Sequence, residues 1–81
     1  MYEEKPGINS YKKAYQACEK ALEIKKVATS AQLLDWVLLN YNINNLNLTP
    51  KGITYYLKDK GYFRKKKHES KPWIFYFEKE D

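Results

Sequence analysis

The hydrophobic period of this chain changes at Gly61, and this change limits the folds that the chain can form. Before Gly61, apolar residues recur at the three-to-four-residue spacing of amphipathic helices, and after it they alternate as in strands. Residues 62–67 and 73–79 predict two antiparallel strands, with residues 68–72 as the hairpin loop. Because a chain of 81 residues has room for one domain, the sequence predicts a small α+β domain with its helices first and its hairpin last.

Three segments before Gly61 have helical periodicity, and each begins at a residue suited to capping. The predicted helices span about residues 10–25, 30–41 and 50–60. The predicted capping residues are Ser10 or Asn9, Thr29 paired with Gln32, and Thr49 followed by Pro50. Gly61 is expected to end the third helix in the left-handed conformation. The residues expected in the core include Cys18, Trp36, Tyr56 and Trp73.

The segments that lie outside these elements are short. Residues 1–9 are interpreted as a loose lead-in, so the domain is expected to span residues 10–79. Residues 25–28 are expected to form a short extended link, and a third strand near these residues is an open alternative. The Asn-rich residues 42–48 predict a loop whose apolar side chains point towards the core.

The residue types exclude several classes of protein. The single cysteine, Cys18, and the single histidine, His68, cannot form an internal disulfide or a zinc site, and no metal or cofactor is expected. Three acidic residues, Glu19, Glu23 and Asp35, are placed on helix surfaces rather than as a converging catalytic pair, so an enzyme is not predicted. The N-terminus has no signal-peptide pattern and no apolar segment is long enough for a membrane span, which favours a cytoplasmic protein.

Positive charge is concentrated in one part of the chain. The net charge is +5, and residues 49–71 hold eight Lys or Arg against two acids, a local net charge of +6. Such a segment favours a polyanionic partner, with nucleic acid first and an anionic membrane or an acidic protein as weaker alternatives. We therefore expect association with DNA and the nucleoid.

The order of elements, together with the pattern T-P-x-x-I-x-x-x-L-x-x-x-G-Y-F followed by basic residues over Thr49 to Lys67, resembles the winged helix-turn-helix superfamily. The resemblance covers about residues 10–79 and implies three helices followed by a two-stranded wing. It implies that helix 50–60 enters the major groove of DNA and that the basic wing, residues 62–73, lies on the backbone. A fainter similarity, through the basic hairpin and P-W-I-F-Y-F, is to winged-helix domains of phage and plasmid replication proteins.

The predicted DNA-binding residues come from the outward face of the third helix and from the wing. On the helix, burial of Ile53, Tyr56 and Leu57 leaves four residues facing outward. The full set is Lys51, Thr54, Tyr55, Lys58, Arg64, Lys65, Lys66, Lys67, His68 and Lys71. About half of the wing residues can point in one direction, because strand side chains alternate. The function implied is that of a transcriptional regulator or an accessory factor in replication or recombination.

Other interpretations stay open at this point. Double-stranded DNA is favoured, but single-stranded bases could stack on Tyr55, Phe63 or Trp73. A protein-interaction module could use the face around Trp73, Ile74 and Tyr76. The basic strand could also be a solvated edge that deters aggregation, and a homodimer through the first helix is a further alternative.

Overall fold

The computed structural model describes residues 5–43, 46–65 and 73–79, and within these ranges the chain is a small compact α+β fold. Its elements are β1 Gly7–Ile8, α1 Tyr11–Lys25, β2 Val27–Thr29, α2 Ser30–Asn40, β3 Asn42–Ile43, α3 Pro50–Asp59, β4 Tyr62–Lys65 and β5 Ile74–Lys79. The helices lie within one residue of the ranges predicted from the sequence. None of the helices in the described ranges has the length and apolar character needed to cross a bilayer.

Local capping signals set where the three helices begin. The Ser10 side chain accepts from the Lys13 amide at 3.2 Å, and Thr49 accepts from the Gly52 amide at 3.1 Å. At α2, Thr29 and Gln32 form the reciprocal capping box that the sequence predicts. Each of these contacts satisfies an amide that has no partner inside its own helix.

The three helices and all three strands of the sheet contribute to an apolar core. Phe75 of β5 is fully buried against the helices. The largest fully buried side chains are Phe75, Leu22, Leu33, Ile53, Leu57, Val37 and Cys18. Burial of Cys18 agrees with the prediction that it is a small core filler, and the same burial raises the pKa of its thiol to about 12.

The sheet contains three antiparallel strands in the order β2–β5–β4. The extended link predicted near residues 25–28 is strand β2, which pairs with β5 through Val27 and Tyr76, and through Ala28 and Phe75. Strand β4 pairs with β5 on its other side, and an irregularity in register lies between Tyr62 and Arg64. This arrangement fixes which residues of β4 face the helices.

The prediction of a loose lead-in over residues 1–9 does not hold for its second half. Gly7 and Ile8 pair in parallel with Asn42 and Ile43 as β1 and β3, and the Asn42 amide donates to the Pro6 carbonyl at 2.8 Å. Ile8 is 4% exposed and belongs to the core. The pairing therefore anchors the start of the chain to the connection between α2 and α3.

Candidate nucleic-acid interface

A groove of about 250 Å³ separates α3 from β4 and the residue that precedes β5. Its walls come from Lys51, Thr54, Tyr55, Lys58, Arg64 and Trp73. The first four are the α3 residues that the sequence assigns to the outward face, and Arg64 is the first residue of the predicted basic wing set. The structure thus brings together five of the ten predicted DNA-binding residues, and adds Trp73.

The α3 wall of the groove is a ridge of exposed side chains. Tyr55 is 59% exposed, Lys51 and Lys58 are exposed as well, and the Lys51 ammonium lies 5.9 Å from the centre of the Tyr55 ring. Residues three and four apart on a helix are neighbours, which places the three side chains in one row. Lys51 is in the first turn of α3, where the helix dipole favours an anion.

Thr54 lines the groove, but its hydroxyl is bonded within the fold. It donates to the Pro50 carbonyl at 3.0 Å, and it lies 2.6 Å from the Ser30 hydroxyl of α2. Because Thr54 uses its only proton on Pro50, Ser30 is the donor in the second contact. Thr54 therefore ties α3 to α2, and a contact with a base would compete with these bonds.

The guanidinium of Arg64 lies over the ring of Trp73 at the strand side of the groove. The guanidinium carbon lies 5.3 Å from the centre of the indole ring, a distance at which cation–π attraction contributes about 0.5–2 kcal/mol. Trp73 is 37% exposed, so the prediction that it belongs to the core is wrong. A residue just before a strand lies at the margin of the sheet, where its ring covers a long side chain rather than the core.

The strand register separates the basic residues that follow Arg64. Arg64 pairs with the buried Phe75, and Lys65 pairs with Ile74. Since partners in an antiparallel pair share a face, Arg64 lies on the helix side of the sheet and the exposed Lys65 on the other side. The remaining predicted wing residues, Lys66, Lys67, His68 and Lys71, lie outside the described residues.

The outer face of the sheet carries exposed apolar side chains. Phe63 is 43% exposed and meets Tyr76 edge-on, with ring centres 5.7 Å apart. Val27, which pairs with Tyr76, is 47% exposed. Phe63 therefore lies on the face opposite Tyr55 and Trp73, so the three aromatic residues considered for base stacking do not form one continuous track.

The carboxylate of Glu19, on α1, links α1 to both walls of the groove, α3 and β4. Glu19 accepts hydrogen bonds from the Tyr56 hydroxyl of α3 and from the Tyr62 hydroxyl of β4, the latter at 2.6 Å. Burial, followed by the hydrogen bond to Glu19, raises the pKa of both tyrosines well above their usual value of about 10. Glu19 thus holds α3 and β4 at a common point.

The sequence placed Glu19 on an exposed helix surface, and this is wrong because Glu19 is half-buried. A usable signal was its spacing of four residues from Tyr15, which puts both residues on one face of α1. Tyr15 stacks on Tyr56 with ring centres 4.8 Å apart. The tyrosines of α3 and β4 therefore reach the same face of α1 that Glu19 occupies.

Comparison of the chain with protein-family models, with curated proteins and with solved structures found no match.

Proposed function

We propose that this protein binds double-stranded DNA as a winged-helix domain, with α3 as the helix that enters the major groove. The observation that carries the proposal is the shared groove: the exposed row of α3 and the guanidinium of Arg64 line the same cleft. A single duplex can therefore contact both features at once. The role suggested by the resemblance is that of a transcriptional regulator or an accessory factor in replication or recombination, without catalytic activity.

The charge of the chain supports a polyanionic partner. Residues 49–71 carry a net charge of +6, and Lys51, Lys58 and Lys65 are exposed. If four to six cations neutralise phosphates, the logarithm of the affinity should fall with the logarithm of salt concentration with a slope of about −4 to −5. Lys51 and Lys58 would contact the backbone beside the helix, whereas Arg64 would lie nearer to the bases. Lys65, on the outer face of β4, lies on the other side of the sheet.

The test is a titration of labelled duplex and single-stranded oligonucleotides at several salt concentrations. Lys51→Ala combined with Lys58→Ala should weaken duplex binding about tenfold or more and make the salt slope shallower by about 2. The matched control is Lys13→Ala combined with Lys20→Ala, which removes the same charge from a depression lined by β1 and α1. Affinity that does not vary with salt, or an equal loss in the control, would contradict the proposal.

The second candidate function is a protein-interaction module, and the observation that favours it is the exposed outer sheet face around Phe63 and Tyr76. Phe63→Ser should leave duplex affinity unchanged if α3 and Arg64 are the binding surface. Retention of one protein in stoichiometric amount after nuclease treatment, with loss on Phe63→Ser, would favour the interaction module instead. Tighter binding to single strands than to duplex would favour a single-strand binder that uses Tyr55 and Trp73.

A further inference from the structure

We propose that Arg64, held on the ring of Trp73, reads the major-groove edge of guanine beside α3. The proposal rests on the proposed function, since it requires that α3 enters that groove. It assigns the chain's sequence preference to one side chain of the sheet and gives Trp73 the role of a positioning residue. The structure supports it in three ways: the face that Arg64 occupies, the stacking on Trp73, and the chemistry of the neighbouring residues.

The strand register directs Arg64 towards α3. Its partner across the sheet is Phe75, which is fully buried against the helices. Arg64 therefore projects on the helix side of the sheet, where it lines the groove with Tyr55 and Lys58. A major groove about 12 Å wide is filled by one helix, so Arg64 would reach a base edge from the cleft beside α3, at the margin of the groove that the helix occupies.

Stacking on Trp73 orders the guanidinium. Trp73, which precedes β5, lines the same groove as Arg64, and the guanidinium carbon lies 5.3 Å from the centre of its indole ring. A stacked guanidinium keeps its N–H groups in its own plane, where they match a planar bidentate acceptor. Less side-chain freedom then remains to be lost on binding, so Trp73 raises affinity without touching the base.

The other cations of the groove are better suited to phosphates. Lys51 and Lys58 are exposed and end in point charges that make no planar pair. Arg64 is half-buried and is the only arginine in the chain. Guanine presents two acceptors, N7 and O6, in the major groove, and arginine is the side chain that most often pairs with both. We therefore assign the base contact to Arg64 and the backbone contacts to the lysines.

The experiment compares four duplexes of equal length: alternating G·C, the same duplex with 7-deazaguanine, the same duplex with inosine, and alternating A·T. The 7-deaza base lacks N7, whereas inosine keeps N7 and O6 and lacks only the minor-groove amino group. Wild-type protein should bind the G·C and inosine duplexes equally, and should bind the 7-deazaguanine and A·T duplexes about tenfold more weakly.

Three variants test the roles of the two residues. Arg64→Lys should lose most of the preference for guanine, because it keeps the charge but replaces the planar fork by a single ammonium group. Trp73→Ala should reduce the preference for guanine over 7-deazaguanine while the salt slope stays unchanged, since no cation is removed. Trp73→Phe keeps an aromatic face and should recover most of the preference. Thermal unfolding of each variant, with Tm unchanged, establishes that the fold is intact.

Several results would overturn the proposal while leaving DNA binding in place. Tighter binding of the inosine and A·T duplexes than of the G·C duplex would put Arg64 in the minor groove, because arginine only donates and the guanine amino group there is itself a donor. An equal loss on every duplex for Arg64→Lys would make Arg64 a phosphate contact, and full preference in Trp73→Ala would remove the positioning role. If no duplex binds in a salt-dependent way, the proposed function itself is wrong and the inference falls with it.

Discussion

Replacing Glu19 by alanine should destabilise the protein by about 2–4 kcal/mol. Its carboxylate accepts from two tyrosine hydroxyls on different elements, Tyr56 of α3 and Tyr62 of β4. A hydrogen bond to a charged group contributes about 1.5–3 kcal/mol, and the half-buried position of Glu19 puts each bond towards the lower end of that range. Water cannot fully replace the acceptor, because Tyr62 is only 3% exposed.

The assay is thermal and urea unfolding of Glu19→Ala beside a matched control. Glu23→Ala removes the same charge one turn later on α1, at an exposed position that lines the same surface depression, and it should change stability by less than about 0.5 kcal/mol. The Tm of Glu19→Ala should fall by about 10 °C or more, since each kcal/mol shifts the Tm of a domain of this size by about 4–8 °C.

Tyr56→Phe and Tyr62→Phe separate the acceptor role of Glu19 from its charge. Each should cost about 1–2 kcal/mol in the wild-type background. In the Glu19→Ala background each should cost much less, because the hydroxyl has already lost this partner. The difference between the costs in the two backgrounds is the coupling free energy of the tyrosine and Glu19. If Glu19→Ala behaves like Glu23→Ala, or if the tyrosine substitutions add in full, Glu19 does not hold α3 and β4 together.

Three further predictions concern pH, a turn and the thiol. The raised pKa values of Tyr56 and Tyr62 mean that the folded state holds their protons more tightly than the unfolded state. Their contribution to stability should be complete below about pH 10 and decline as the pH rises further. In urea titrations, the double phenylalanine variant should lose that decline. Gly61 has φ of 85°, so Gly61→Ala should cost about 1 kcal/mol in chemical unfolding and Gly61→Asn less; equal costs would contradict a left-handed requirement. Cys18 is fully buried with its thiol pKa raised to about 12, so a thiol reagent at pH 8 should modify it only at the rate of unfolding; rapid modification of folded protein would refute this.

The helix boundaries could be predicted because each depends on residues close in sequence. Thr29 and Gln32 carry the full capping box of α2 within four positions. Thr49 with Pro50 sets the start of α3, and Gly61 allows the turn that follows it. These signals act through backbone amides and backbone conformation, so they do not depend on how the helices pack.

The pairing of β1 with β3 could not be predicted, since it joins segments about 35 residues apart and each strand has only two residues. Two residues are too few to show an alternating pattern. The pairing goes instead with burial of Ile8 in the core. An isolated apolar residue between polar neighbours gives no indication that it will be buried.

The outward row of α3 was predicted in part, and the one exception, Thr54, has a physical cause. Lys51, Tyr55 and Lys58 are exposed as expected, whereas Thr54 sits beside the buried Ile53 and bonds to Ser30. Helical spacing predicts the direction of a side chain around the helix axis only to within about one residue, and successive residues are about 100° apart. A residue at the margin of the buried face, such as Thr54, therefore points outward or inward according to its contact partner. For Thr54 that partner is Ser30, which lies on α2.

The rotation of α3 about its own axis is what makes the groove, and polar contacts rather than the core determine it. Ile53 and Leu57 bury the helix but would tolerate some rotation, because apolar contact has no direction. Hydrogen bonds do have direction: Thr54 is tied to α2, and Tyr56 to Glu19 of α1. These two contacts lie on opposite sides of the buried row, so a rotation that relaxes one strains the other. A rotation of α3 by one residue, about 100°, would carry Tyr55 out of the groove and away from Arg64. Tyr55 and Arg64 therefore line one groove only while the contacts of Thr54 and Tyr56 hold.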